Sequence, residues 1–185
     1  MTRITMNEYQ RMAQRTSPDD GHDRMDNGVL GLIGETGEIV DLYKKYRYQS
    51  KPDTPMPRGR FLEELGDVLW YMAELAQGMG RPLAEIVRGT FVDYDNKAAN
   101  PAKRKRELRR VVLGLSGRAN SIQDYMDKNQ FKYVESNMRK LMAGAAALAY
   151  LCGGSLQDVA LENIAKLQCR YPNGFDAGIS MGRYE

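Results

Sequence analysis

Val29-Leu-Gly-Leu-Ile-Gly-Glu-Thr-Gly-Glu-Ile-Val-Asp-Leu-Tyr-Lys-Lys45 and Val112-Leu-Gly-Leu-Ser-Gly-Arg-Ala-Asn-Ser-Ile-Gln-Asp-Tyr-Met-Asp-Lys128 decide how this chain reads. Set 83 residues apart, they agree at eight of seventeen positions. A second block, Leu75-Ala76, Gly80, Leu83 and Glu85-Ile86, matches Leu148-Ala149, Gly153, Leu156 and Asp158-Val159 at an offset of 73, so the chain between the blocks is ten residues shorter in the second half. Self-similarity of this kind is the mark of a duplicated structural unit. In both halves apolar residues recur at threes and fours, the period of an amphipathic helix, and no stretch alternates as a strand would. The reading is all-α: a tandem-duplicated helical hairpin whose copies, residues 1–99 and 100–185, pack as a pseudo-dimer in one globular unit.

Helices are expected at residues 4–16, 24–48, 59–79, 82–97, 103–128, 132–151 and 155–170. Gln49 to Pro57 carries three prolines and must be a loop, while Gly80-Arg-Pro82 and Gly153-Gly-Ser155 supply turn and cap chemistry between helices. The 185 residues are 42% hydrophobic and 28% charged, enough for a packed core, and 27 Lys and Arg against 24 Asp and Glu leave only +3. That excess implies no nucleic-acid or membrane partner without a local cluster. Two cysteines and a lone histidine, His22, leave no disulfide scaffold, no His-rich zinc site and no Ser-His-Asp or Cys-His device. The polar start has no signal-peptide pattern, and the Ala-rich run 143–154 is too short to cross a bilayer, so a cytoplasmic protein with no membrane partner is expected.

Glu35-x-x-Glu38 places two carboxylates on one helix face, because residues three apart are neighbours at ~5–6 Å. Glu64-x-x-Asp67 does the same on the next helix. Antiparallel packing of the two helices brings four acids to one seam, and four like charges need a cation. An all-oxygen donor set selects a hard ion, Mg²⁺ or Mn²⁺, and such Mg²⁺ commonly also binds phosphate. A carboxylate-bridged di-iron site would need Glu-x-x-His pairs, which are missing. Gly31, Gly34 and Gly37 lie in the same helix at ~1 kcal/mol each relative to Ala, which close helix approach or backbone access to a ligand would justify.

Gly31-Leu-Ile-Gly-Glu-Thr-Gly-Glu-Ile-Val-Asp-Leu-Tyr-Lys-Lys45 with Glu63-Glu-Leu-Gly-Asp-Val-Leu-Trp-Tyr71 resembles the MazG family of all-α nucleoside triphosphate pyrophosphohydrolases, whose signature is ExxE followed by ExxD. Asn7-Glu-Tyr-Gln10 and Asn163 to Phe175, with Lys166 and Arg170-Tyr171-Pro172, resemble the opening and closing segments of such proteins. The resemblance implies a MazG-like helical bundle and Mg²⁺-dependent cleavage, with Mn²⁺ substituting, of a (deoxy)nucleoside triphosphate to monophosphate and pyrophosphate. It makes Glu35, Glu38, Glu64 and Asp67 the metal ligands. It also implies a nucleotide-pool role and a homodimer. Glu38 or Glu35 is the candidate general base, although relatives often carry a further acid where this chain has Gly34.

Ordinary members are shorter by about seventy residues, and the internal repeat accounts for the excess. In the second copy the acids are lost: Glu35 aligns with Arg118, Glu38 with Ser121, Glu64 with Asn137 and Asp67 with Lys140. In the first copy the tail is lost, since Asn163 aligns with Thr90, Lys166 with Asp93, and Arg170-Tyr171-Pro172 with Lys97-Ala98-Ala99. One composite site per chain follows, with metal ligands from the first copy and phosphate-binding residues Asn163, Lys166, Arg170 and Tyr171 from the second. Lys45, with Lys44, is a further phosphate candidate or else a helix-end cation; Trp70 and Tyr71 are base-stacking candidates or core; Asn27 is a base-reading amide. Asp41, retained as Asp124, reads as structural. The run Lys103 to Arg110 reads as a solvated face or a rim that draws in an anion, with nucleic-acid binding disfavoured because no aromatic residue interleaves it. Alternatives that keep the chemistry are a HisE-type phosphoribosyl-ATP pyrophosphohydrolase and a dUTP- or dCTP-specific relative. Alternatives of other classes are a non-catalytic Mg-nucleotide-binding regulator and a helical nucleic-acid adaptor.

Overall fold

Asp23 starts the central helix: its side chain accepts the backbone N–H groups of Met25 and Asp26 at 3.0 and 3.1 Å, satisfying donors that a helix start leaves bare. The computed structural model describes residues 3–18, 23–89 and 101–181, without the side chains of 101–105 and 181. The helices are α1 (Met6–Gln14), α2 (Arg24–Tyr48), α3 (Arg58–Gly78), α4 (Leu83–Ile86), α5 (Pro101–Asp127), α6 (Phe131–Leu151), α7 (Leu156–Arg170) and α8 (Ala177–Met181). The described residues contain no strand, and none of their helices is long and apolar enough to cross a membrane. Thr5 with Glu8 and Ser155 with Asp158 form capping boxes that start α1 and α7.

One expectation is corrected and one element is added. The helix expected over 82–97 ends at Ile86, because residues 87–89 turn and Gly89 takes φ +78, the left-handed conformation that stops a helix. Its remainder lies outside the described residues, as do His22 and the first-copy positions 90, 93 and 97–99. A short α8 follows the 172–174 turn, where Asp176 Oδ1 accepts the Ile179 N–H at 3.1 Å; nothing in the apolar pattern announces it.

The helical hairpin α2–α3 packs beside the hairpin α5–α6. The contacting pairs correspond under exchange of α2 with α5, α3 with α6 and α4 with α7: α2 meets α5, α3 meets α6, and α3 packs on α7 as α6 packs on α4. One apolar core runs through both hairpins, and the aligned pairs Leu32 with Leu115 and Ile39 with Ile122 are buried to at least 99%. Helix α1 lies across α3, α4 and α7.

The glycines of α2 divide by what surrounds them. A Cβ on Gly28 would sit 2.8 Å from the Leu75 backbone nitrogen, and one on Gly31 would meet the Tyr71 ring, so these two let α3 approach. Gly34 and Gly37 face open space, so close packing does not explain them. Gly28→Ala therefore destabilises the fold by about 1–3 kcal/mol through overpacking, whereas Gly34→Ala stabilises it by up to about 1 kcal/mol. Denaturant melts of the two variants check the difference, and similar shifts for both would contradict this account of α2 on α3.

Candidate functional site

Helices α2 and α3 carry the acids, and the antiparallel hairpin brings carboxylate oxygens of Glu35, Glu64 and Asp67 within 4.8 Å of one another, each residue partly buried. Glu38 lies outside this trio and is exposed. Three residues turn a helix by about 300°, which leaves Glu38 about 60° around from Glu35 and toward solvent. Its charge is still felt by Glu35 and Glu64. Burial, then the charges of Asp67, Glu38 and Glu64, push the Glu35 carboxyl up to about 7, against the pull of Lys166. Burial and the charges of Glu38 and Asp67 also raise Glu64.

The second half of the chain meets this cluster through α7. Lys166 Nζ lies 2.7 Å from both Asp67 oxygens, and Asn163 Nδ2 donates to Asp67 Oδ1 at 3.3 Å. Gly66 permits the approach: a Cβ there would stand 2.8 Å from Asn163 Nδ2. The Tyr9 hydroxyl, fully buried, donates to Asn163 Oδ1 at 2.8 Å and so turns the amide nitrogen toward Asp67. Burial, and then the charge of Asp67, pushes the Tyr9 phenol well above its usual range, which keeps it a donor.

Beside the acids lies a cleft of about 200 Å³ lined by Asn27, Glu35, Asp67, Trp70, Arg170 and Tyr171, among others. Trp70 Nε1 donates to Thr16 Oγ1 at 2.9 Å, and Tyr71, which stands edge-on to Trp70 with centroids 4.8 Å apart, also lines the cleft. The chain beyond α7 closes it: the Phe175 N–H donates to the Arg15 carbonyl at 3.1 Å, tying this segment to the end of α1. Lys45 does not line the cleft; it pairs with Asp41 at 2.6 Å, and Lys44 pairs with the same carboxylate. The two lysines hold the Asp41 carboxyl down to about 2.

Two residues escaped the sequence reading. Glu74 is fully buried, receives hydrogen bonds from Ser17 at 2.9 and 3.0 Å and from Arg24 at 3.2 Å, and takes a longer one from Asn27 at 3.5 Å. The signal was an acid inside the apolar run Val68 to Ala76. Tyr9 is the other; it lay in a quoted motif, but its partner is 154 positions away.

At the aligned position of the second hairpin, Arg118 Nη1 approaches Asn137 Oδ1 at 3.4 Å, and Ser121 donates to the Gly117 carbonyl at 2.9 Å. The acidic trio has no counterpart there among the described residues. In the basic run, Arg106, Arg109 and Arg110 are exposed, and Arg110 pairs with Glu107 at 3.5 Å. Cys152 and Cys169 are unlinked.

No family model matches the chain, and no solved structure matches it. A curated relative, the Gene 37 protein of Mycobacterium phage L5, is 38% identical over 61 residues, or 32% of this chain and 54% of the relative. The chain thus spans about half the length of the curated relative it matches.

The raised Glu35 carboxyl has a consequence for stability. Its folded-state value, about 7, exceeds the ordinary 4.5, so the folded state holds the proton more tightly and stability falls as pH rises through that interval. In EDTA, Glu35→Gln is therefore more stable than the parent at pH 8 by about 1 kcal/mol, discounted for solvent screening, and no more stable at pH 4.5. Urea unfolding at the two pH values checks this; a variant less stable at pH 8 would contradict it.

Proposed function

We propose that the chain hydrolyses (deoxy)nucleoside triphosphates to nucleoside monophosphate and pyrophosphate with Mg²⁺, at one site assembled from both halves. The observation that carries this reading is the meeting of Lys166, from α7, with Asp67 in the acidic trio. It is the juxtaposition expected if the first copy supplies metal ligands and the second supplies cations for phosphate. The corresponding helix contacts of the two hairpins support reading the chain as a fused pseudo-dimer of MazG-like units.

The residues fit the ion. Glu35, Glu64 and Asp67 offer only oxygen, the donor type a hard divalent cation takes. Burial first, and then the charges of Asp67, Glu38 and Glu64, push the Glu35 carboxyl up, and a divalent cation bound among these acids would offset the charge part of that push. When bound, Mg²⁺ supplies charge neutralisation on the triphosphate and acidification of a water. Glu38, outside the trio and exposed, would be the carboxylate left to accept a proton from an attacking water. Lys166 and Arg170, one turn apart on α7, hold the pyrophosphate charge. Trp70 and Tyr71 bound the cleft as surfaces for the base, and Asn27 reads its edge. Lys166, paired with Asp67, would be offered a second anion by arriving substrate phosphates. A homodimer in the cytoplasm completes the reading.

A panel of all NTPs and dNTPs assayed for pyrophosphate tests it. Release occurs with Mg²⁺ and stops in EDTA, and Glu64→Gln and Lys166→Ala each lower kcat/KM by at least 100-fold, about 2.7 kcal/mol. Mixing the two variants restores nothing, because both residues serve one site in one chain. Absence of pyrophosphate release across the panel would sink the assignment, and recovery on mixing would move the site to an interface between chains.

A further inference from the structure

The two hairpins differ most where their helices are joined. In the second, α5 and α6 are linked by Lys128-Asn129-Gln130 alone, with Asn129 at φ 54. In the first, α2 runs one turn beyond the equivalent end of α5 and a nine-residue loop, 49–57, follows. The second hairpin shows that three residues suffice to close such a pair, so the extra chain is not needed to make the fold. Its prolines, Pro52, Pro55 and Pro57, hold it stiff.

That extra chain walls a cavity of about 530 Å³, within the ~300–1,000 Å³ range of small-ligand sites. The cavity lies at the loop end of the α2–α3 hairpin and shares no lining residue with the acidic cleft at the other end. Its floor is apolar and aromatic: Tyr43, Leu108 and Leu151 are buried, and Tyr46 and Met56 partly so. Its rim carries Arg47, Lys51 and Arg58, all exposed, and no Asp or Glu lines it. Among the described residues none of these three cations forms an ion pair with an acid, and Arg47 instead lies 5.6 Å from the Tyr48 ring centre.

We propose that this cavity binds an anion that carries a planar aromatic ring, such as a nucleoside monophosphate, separately from the acidic cleft. Tyr43, Tyr46 and the Met56 thioether contact the planar body, surfaces that suit an aromatic ring. Arg47, Lys51 and Arg58 take the anionic group at the rim by charge-assisted hydrogen bonds. Because the cavity needs neither metal nor turnover, this assignment stands or falls apart from the hydrolytic one.

Titration calorimetry with AMP in EDTA tests it. The parent binds AMP at least tenfold more tightly than inorganic phosphate, and added salt weakens the binding. The triple variant Arg47→Ala/Lys51→Ala/Arg58→Ala, whose side chains are exposed and whose thermal melt serves as a folding control, loses at least tenfold in affinity. Met56→Trp, which fills the cavity, abolishes binding. Lys166→Ala, at the other site, changes the Kd less than twofold. Absence of AMP binding at millimolar concentration overturns the proposal. So does a loss of affinity in Lys166→Ala that the triple variant does not share.

Discussion

Three carboxylates crowded onto one hairpin set the terms for the rest of this structure. Glu35, Glu64 and Asp67 stand within 4.8 Å of one another and partly out of water, where like charges repel far more strongly than in bulk solvent. Lys166 answers part of that repulsion by pairing with Asp67, and it does so only because α7 is pressed onto α3 at Gly66. Asn163 fills the same contact, and Tyr9 fixes its orientation from α1. Elements from the beginning, middle and end of the chain are thereby tied to one cluster. Burial, joined by the charges of Asp67, Glu38 and Glu64, pushes the Glu35 carboxyl up to about 7.

The second hairpin gains meaning from this arrangement. Where the first carries Glu35 and Glu64, it carries Arg118 and Asn137, which face each other at 3.4 Å. A charge-repelling position in the first hairpin corresponds to a self-satisfying one in the second. Without the acids, the second hairpin has the apolar residues that match the first, Leu115 and Ile122 equivalent in role to Leu32 and Ile39, and serves as the other half of a shared core. Its α7 lies across the first hairpin's α3, so its most consequential side chains act away from their own hairpin.

Much of the fold was legible because helices announce themselves locally. The period of apolar residues and the turn signals Gly80 to Pro82 and Gly153 to Ser155 place the long helices within a residue or two of where they lie. The failures have local causes too. Gly89, in the left-handed conformation, follows the end of α4 at Ile86, and the apolar pattern does not announce it. Spacing put Glu35 and Glu38 on one face, but the 60° between them is enough to leave one half-buried and the other in water. The glycines of α2 looked alike in sequence; only packing separates Gly28 and Gly31, pressed by α3, from Gly34 and Gly37, which face open space. Glu74 was overlooked because an acid in an apolar run has no periodic signature, and its partners Ser17, Arg24 and Asn27 lie some fifty residues away.

By itself the sequence determined an all-helical chain, the self-similarity of its two halves, and which half holds acids and which holds the Asn163, Lys166 and Arg170 tail. These properties are written in spacing and composition, which act over a few residues. Tertiary structure alone decided that Lys166 reaches Asp67, that Tyr9 orients Asn163, that Lys45 is occupied with Asp41, and that a longer α2 and its proline-rich loop wall a cavity. Those outcomes depend on how closely two helices approach and which way each face turns. Both are set by steric contact between residues far apart in the chain, and local periodicity carries no record of them.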